Sequence, residues 1–283
     1  MYCEVQKGRI HYEIEGSGFP ILILHAMGTD YRSMTAWIEP VFQQTKGFQR
    51  IYIDLPAHGE SDITTDVKSS DDILSNIVDF IEQVIPNQSF SLIGASYGGY
   101  LAQGILCKKK NLVKSICLLA PALHIKKRTV PPKVVLYKDE EALKDLPTQI
   151  QVAIDTLLVN QTRENLELFI KEVQPGRLVA NQEFLSSNWR DTGYFFTTDP
   201  FEQIETLSIP ALILAGQQDS ICGFEDQQIL LNKLTNVTFS IIDEAGHLLA
   251  IEKRRVVQDL MTDWIERKTK GAQHEHTSYS NRI

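Results

Sequence analysis

Positive charge is what this chain has little of. Its 283 residues carry 28 Lys and Arg against 36 Asp and Glu, a formal net charge of -8. Clustered cations of the kind that drive binding to nucleic acid or to an anionic membrane surface are therefore not expected. Cysteine is scarce as well. Cys3, Cys107, Cys117 and Cys222 are scattered and form no C-x-x-C pair, which argues against a disulfide framework or a zinc site and for buried thiols in a reducing compartment. No apolar run approaches the roughly 20 residues that span a bilayer. The N-terminus also lacks the basic region and apolar block of a signal peptide, so the expectation is a cytoplasmic protein with no membrane partner. The 43% hydrophobic and 23% charged content is ordinary for a globular chain, and the length suits one large domain or two small ones. A small-molecule or peptide substrate stays open.

What the sequence does have is an apolar run that ends in a serine between glycines, Ser89-Phe90-Ser91-Leu92-Ile93-Gly94-Ala95-Ser96-Tyr97-Gly98-Gly99-Tyr100. It reads as a strand, a tight turn and the start of a helix. Gly94-Ala95-Ser96-Tyr97-Gly98 matches G-x-S-x-G, in which small residues let strand and helix backbones close around a strained turn that exposes the serine hydroxyl. Five residues with three fixed positions recur by chance, and a serine between glycines is more often only a loop. The surrounding pattern has to decide.

Taken in order, Cys3 to Lys7 and Arg9 to Glu15 alternate loosely around Gly8 as a hairpin would. Pro20 to His25 is a continuous apolar strand that runs into His25-Ala26-Met27-Gly28, and Arg50 to Leu55 is another that runs into Asp54-Leu55-Pro56-Ala57-His58-Gly59-Glu60-Ser61. Helices are expected over Thr35 to Gln44 and Asp71 to Val84, the second capped by Ser70 or Asp71. After the serine come a helix to about Lys108 and a strand from Val113 to Leu119. This alternation predicts a mostly parallel, doubly wound α/β sheet. From Ala122 to about Pro200 no strand-like run occurs, while four stretches show helical spacing. The sheet then resumes at Ala211 to Ala215, followed by a helix near Glu225 to Leu234, a strand over Val237 to Ile242 and a last helix from Leu249 to Arg267. The division is a core of residues 1–121 and 201–267, a helical insertion at 122–200 after the sixth strand, and a polar tail at 268–283. The tail histidines His274 and His276 are read as part of a frayed end rather than a metal site.

In such a sheet, ligands lie beyond the carboxyl ends of the strands, so partners for Ser96 belong in loops that follow strands. Asp219 follows Ala211 to Gly216, and His247 follows Phe239 to Ile242. Alone, each has a plain alternative, a turn aspartate and a helix-capping histidine. Together they give the order Ser, Asp, His, which accompanies this elbow and not the other hydrolase folds.

On these residues the chain resembles the α/β-hydrolase family over about residues 3 to 267. The 54–61 segment is similar to the family's D-x-P-G-H-G-x-S turn, and Gly246-His247 with Glu252 resembles its G-H-x-x-x-x-E segment. Alanine replaces the first glycine of the family's His-Gly loop at Ala26. The resemblance implies a serine hydrolase that cleaves a small carboxylic ester or related acyl compound, with no cofactor and no metal. Ser96 would be the nucleophile, His247 its base, Asp219 the orienting acid, and the backbone N–H groups of Met27 and Tyr97 the oxyanion donors. His25 and His58 are expected to be structural. A nucleophilic serine disfavours the family's dehalogenases and epoxide hydrolases, which use aspartate, and Leu248 stands where its carbon-carbon bond hydrolases often have tryptophan. Acyl transfer, carbon-carbon cleavage and a receptor that retains the triad are the alternatives. Trp189 is expected to line the substrate pocket under the inserted helices. Trp189-Arg190 could imitate the acid-binding arginine of the carbon-carbon bond hydrolases that the resemblance brings in, but Arg190 and the run Lys126-Lys127-Arg128 are read as solvated charge.

Overall fold

The alternation around Gly8 closes a hairpin in which β1 (Tyr2–Val5) and β2 (Gly8–Gly16) pair antiparallel, with Tyr2 opposite His11. The computed structural model describes residues 1–202 and 204–280, with side chains only through residue 267. Next come β3 (Phe19–Leu24), α1 (Arg32–Phe42), β4 (Phe48–Ile53), the two-residue β5 (Asp62–Ile63), α2 (Ser70–Val84), β6 (Phe90–Ala95), α3 (Tyr97–Lys108) and β7 (Val113–Leu119). The cap of α2 lies one residue before the expected position. Ser69 accepts from the Asp72 N–H while the Asp72 carboxylate accepts from the Ser69 N–H, a reciprocal capping box.

Between β7 and the strand that resumes the sheet, the chain forms β8 (Tyr137–Lys138), α4 (Glu140–Lys144), α5 (Thr148–Leu157), β9 (Asn160–Gln161), α6 (Arg163–Leu168), α7 (Gln174–Val179), α8 (Gln182–Ser186) and α9 (Trp189–Thr192). The segment is mainly helical, as its spacing predicts. It also holds one short parallel pair, β8 with β9, too brief to leave an apolar alternation in the sequence. A π-helical turn over Phe169–Val173 joins α6 to α7. The sheet then continues with β10 (Leu207–Gly216) and β11 (Leu234–Ile242), and the chain ends in α10 (Leu249–Glu252) and α11 (Arg254–Ser280). The helix expected near Glu225 to Leu234 is a 3-10 helix over Asp226–Asn232, and Leu234 already belongs to β11. The last helix continues to Ser280 instead of ending near Arg267. The side chains of His274 and His276 lie outside the described residues.

The nine-stranded sheet runs in the order β1-β2-β4-β3-β6-β7-β10-β11, with β5 beside β2. Its pairs are parallel from β4 through β11 and antiparallel at the β1–β2 and β2–β4 edge. Parallel strands are covered on both faces, which is why β3 and β6 are almost wholly buried. Ile73, Ile77, Phe80, Leu101 and Ile105 of α2 and α3 cover one face, and Met34, Trp37, Val257, Met261 and Trp264 of α1 and α11 cover the other. A third apolar cluster lies within the inserted helices and reaches Ile251 of α10. Among the described residues, no helix is long and apolar enough to cross a membrane.

One contact fixes where β6 turns into α3. A Cβ on Gly98 would stand inside van der Waals range of the Leu24 and His25 carbonyl oxygens, and one on Gly94 would lie 2.6 Å from the Gly98 carbonyl oxygen. The start of α3 therefore rests on the end of β3 with no room for a methyl group. Gly98→Ala is expected to destabilise the fold by about 1–3 kcal/mol, the usual cost of overpacking. Urea unfolding measures it, and an unchanged midpoint would show that the end of β3 can move aside.

Candidate active site

Ser96 is held by this turn at φ 51° and ψ -115°, a left-handed backbone that a residue bearing a Cβ rarely adopts. The turn is pinned on both sides. The Ser96 N–H donates to the Leu119 carbonyl, and the Ser96 carbonyl accepts from the N–H groups of Tyr100 and Ala122. The hydroxyl is thereby lifted off the carboxyl end of β6, beside β3 and β7.

The other two polar groups arrive from the ends of β10 and β11. Asp219 is completely buried, and its Oδ1 accepts the N–H groups of Ile221 at 2.9 Å and Cys222 at 3.1 Å. Its Oδ2 accepts from His247 Nδ1 at 2.9 Å, and His247 Nε2 lies 2.9 Å from Ser96 Oγ. Burial alone would raise the Asp219 pKa, but the adjacent His247 and the two N–H donors outweigh it and hold the carboxyl below its ordinary range. A neutral imidazole whose Nδ1–H donates to this carboxylate must present a lone pair on Nε2 to the serine. Such a geometry suits proton transfer from Oγ. The neighbouring acid Asp243 is exposed and accepts from Gln218 Nε2, so it does not orient the histidine.

The loop that carries His247 is itself held by a carboxylate. Glu252 Oε1 accepts the N–H groups of Val159 at 2.6 Å and Asn160 at 2.9 Å, while its Oε2 accepts the Gly246 N–H at 2.6 Å. One side chain therefore joins α10, the residue before His247 and the inserted segment.

His25 and His58 are buried away from Ser96. The Leu55 N–H donates to His25 Nε2 at 2.9 Å, and His25 Nδ1 donates to the Ala26 carbonyl. Burial lowers the His25 pKa to about 4, and burial together with the His25 charge lowers that of His58 to about 3. Both are neutral near pH 7. Gly28 takes the left-handed turn of the 25–28 loop at φ 73°, and Ala26 does not, so the alanine there carries no backbone strain. Met27 and Tyr97 line the cavity beside Ser96. Tyr97 opens α3, where an N–H has no helical acceptor.

Asp219, Cys222 and His247 bring three potential metal ligands within 4.8 Å of one another. Their donors are otherwise engaged. Both carboxylate oxygens and both imidazole nitrogens are hydrogen-bonded, and burial followed by the Asp219 charge pushes the Cys222 thiol up to about 12, which opposes the thiolate a metal needs.

Two cavities meet at Ser96 and His247. One of about 60 Å³ is almost entirely apolar and lies against Met34, Trp37, Leu119 and Ile251. The other, of about 310 Å³, is bounded by Met27, Tyr97, Val173, Tyr194 and three arginines, Arg128, Arg177 and Arg190. Val173, from the π-helical turn, borders both. The expectation for Trp189 needs correction, because its side chain is buried against Phe184, Tyr97 and Tyr194 and does not border the cavity. Adjacent residues on a helix point about 100° apart. In α9 it is Arg190 that faces the opening while Trp189 supports the wall. The reading of Arg128 as solvated charge fails as well, since its guanidinium is half-buried and donates to the Ile221 carbonyl and the Tyr194 hydroxyl. Arg177 had no sequence signal, because an arginine after Gln-Pro-Gly looks like any helix-start residue.

A family model described as the alpha/beta hydrolase fold matches residues 20–254, and the chain belongs to that family. Its sequence is 24% identical over 265 residues to (E)-2-((N-methylformamido)methylene)succinate hydrolase of Acinetobacter baylyi, covering 90% of this chain and 94% of that one. It is 23% identical to monoacylglycerol lipase abhd6-B of Xenopus laevis, covering 93% and 79%. A solved alpha/beta superfamily hydrolase of Oenococcus oeni PSU-1 matches with a TM-score of 0.81 at 26% identity, covering 94% of this chain and 99% of that chain.

The Glu252 contacts generate a sharp expectation. Glu252→Ala leaves three N–H groups without their acceptor and should cost at least about 2 kcal/mol. Glu252→Gln should recover little, because one oxygen becomes an NH₂ group and two donors then face each other at Gly246 or at Val159. Chemical unfolding of both variants checks this, and full recovery by glutamine would show that a carboxylate is not required.

Proposed function

We propose that the protein is a serine hydrolase that cleaves a small carboxylic ester or a related acyl compound through an acyl-enzyme. The observation that carries the reading is the unbroken relay from Asp219 to His247 to Ser96, two contacts of 2.9 Å, at a strained turn that opens into a cavity.

In this mechanism His247 Nε2 takes the proton as Ser96 Oγ attacks the carbonyl carbon, and Asp219 stabilises the imidazolium that forms. The tetrahedral oxyanion accepts from the backbone N–H groups of Met27 and Tyr97. Collapse expels the alcohol, which leaves with the proton from His247. Water, deprotonated by the same nitrogen, then attacks the acyl-enzyme and regenerates Ser96. The helices between β7 and β10 act as a cap that excludes water and strengthens the electrostatic interactions inside. The relatives include a monoacylglycerol lipase, which supports ester cleavage at the level of the family. A ligand receptor that keeps the same three residues is the competing reading, and it predicts tight binding with negligible turnover.

A fluorophosphonate probe should label Ser96, and Ser96→Ala should abolish both labelling and turnover of 4-nitrophenyl esters while the protein stays folded. Residual turnover within tenfold of wild type would remove Ser96 from the mechanism. Asp219→Asn should lower turnover by about 10⁴, since the amide favours the wrong imidazole tautomer. At Met27 the backbone and side-chain roles separate. Met27→Pro removes an oxyanion donor and should cost about 10²–10³ in turnover. Met27→Ala keeps the donor and should cost much less. If the alanine variant, melting like wild type, lost as much as the proline variant, the N–H assignment would fail.

A further inference from the structure

The larger cavity is out of balance with the rest of the molecule. The chain is acidic overall, at a net charge of -8, yet Arg128, Arg177 and Arg190 border the space in front of Ser96 and, among the described residues, no Asp or Glu borders it. Other partly buried arginines are neutralised on the spot, Arg50 by Glu39 and Arg254 by Glu172. These three, of which Arg128 and Arg177 are partly buried and Arg190 is exposed, make no ion pair among the described residues. Arg128 donates to neutral groups, the Ile221 carbonyl and the Tyr194 hydroxyl, with its guanidinium carbon 5.7 Å from the Tyr194 ring centroid and the Asp219 charge acting on it without a direct ion pair. Arg190 is exposed, and among the described residues its guanidinium donates only to the Met27 thioether, at 2.9 Å, a weak acceptor. The Arg177 guanidinium has no hydrogen bond or ion pair among the described residues, and burial, with no carboxylate to offset it, lowers its pKa. Removing guanidinium charge from water without a partner is unfavourable. Arg177 is in that position, and with Arg128 and the exposed Arg190 beside it around one cavity the arrangement is completed when an anion enters.

We infer that this cavity recognises a free carboxylate on the substrate, through Arg128, Arg177 and Arg190, so that the acyl compound hydrolysed at Ser96 carries a second acidic group. The inference rests on the hydrolase reading for the reaction but not for the binding. The guanidinium fork matches the two oxygens of a carboxylate, and charge-assisted bonds of this kind are about twice as strong as neutral ones. The volume of about 310 Å³ is at the small end of ligand pockets, enough for a short-chain acid and not for a long acyl chain. The apolar cavity of about 60 Å³ on the other side of His247 takes a small apolar group of the same substrate. In the reaction, Ser96 Oγ displaces the alcohol or other leaving group, which takes up the proton from His247. Water then cleaves the acyl-serine bond, and the product is a dicarboxylic acid.

The test begins with binding, where no chemistry intervenes. Ser96→Ala protein is titrated calorimetrically with glutarate, with valerate, which has the same number of carbons and one charge fewer, and with inorganic phosphate. Glutarate should bind at least about tenfold more tightly than valerate, the worth of one charge-assisted hydrogen bond, and more tightly than phosphate. Arg177→Met on that background should erase most of the difference. It removes a group with no partner in the protein, so the fold has little reason to fail, and Arg177→Lys should restore the preference in part. Glutarate that binds no better than valerate overturns the inference, and phosphate that binds better overturns its carboxylate form. Wild-type protein is then assayed with mono-4-nitrophenyl glutarate and 4-nitrophenyl valerate. Selective glutarate binding without turnover of either ester and without labelling of Ser96 would leave the anion site standing and sink the hydrolase reading. Ester turnover without selective binding would do the reverse.

Discussion

The backbone of Ser96 is the constraint on which the rest depends. A residue with a side chain is held at φ 51° because the strand before it and the helix after it approach too closely for any other path, and that approach requires glycine at 94 and 98. Strain of this kind costs on the order of 1–3 kcal/mol and persists only when the surroundings over-determine it. They do so here through the Leu119 carbonyl, the Tyr100 and Ala122 N–H groups and the carbonyl ends of β3 packed on Gly98. The same contact that forces the serine upward brings the 25–28 loop alongside it. Nucleophile and oxyanion donors, in the proposed reaction, are thus consequences of one close approach.

Carboxylates then do for the loops what glycine does for the turn. Asp54 accepts from the N–H groups of Tyr31 and Glu60 and from His11, which ties the segment after β4 to the start of α1. Asp219 and Glu252 each gather two or three backbone donors at the ends of β10 and β11. Fixed carboxylate acceptors are a solution to a shared problem, since loops at a strand end leave backbone N–H groups that burial would otherwise orphan. A consequence is that the imidazole of His247 sits on a loop braced from both sides, with Asp219 at its Nδ1 and Glu252 at the preceding N–H.

Much of this was legible in the sequence because its signals are local. The apolar runs of β3, β6, β7 and β10 are buried on both faces and could be read without knowing their neighbours. Gly94 to Gly98 encode a backbone geometry directly, and the order of Ser96, Asp219 and His247 follows from which strands their loops leave. What could not be read depends on orientation across distant elements. Trp189 and Arg190 are neighbours in sequence, and nothing in the pattern of α9 says which one faces the opening. Arg128 looks like the end of a basic run until Tyr194, 66 residues later, folds over it. The two-residue strands β8 and β9 are visible only as a pair.

The positions of these residues divide along the chain in a way that bears on how such a protein can change. Ser96, Asp219, His247 and the 25–28 loop all leave the ends of parallel strands, where geometry is set by the sheet. Arg128, Arg177 and Arg190 all lie between β7 and β10, on the connection after β7, on α7 and on α9. The two sets meet through contacts of different kinds. Gly176 packs without a side chain against Thr29 and Asp30, close to the 25–28 loop, and Tyr97 stacks edge-on to Trp189 behind the cavity wall. Substitution on α7 or α9 can therefore alter which charge the cavity accepts without moving the serine, whereas any change that shifts α7 against Asp30 is transmitted to the loop carrying Met27. On this view selectivity for a charged substrate is separable from bond cleavage at the arginines themselves and inseparable from it at the small residues on which those helices rest.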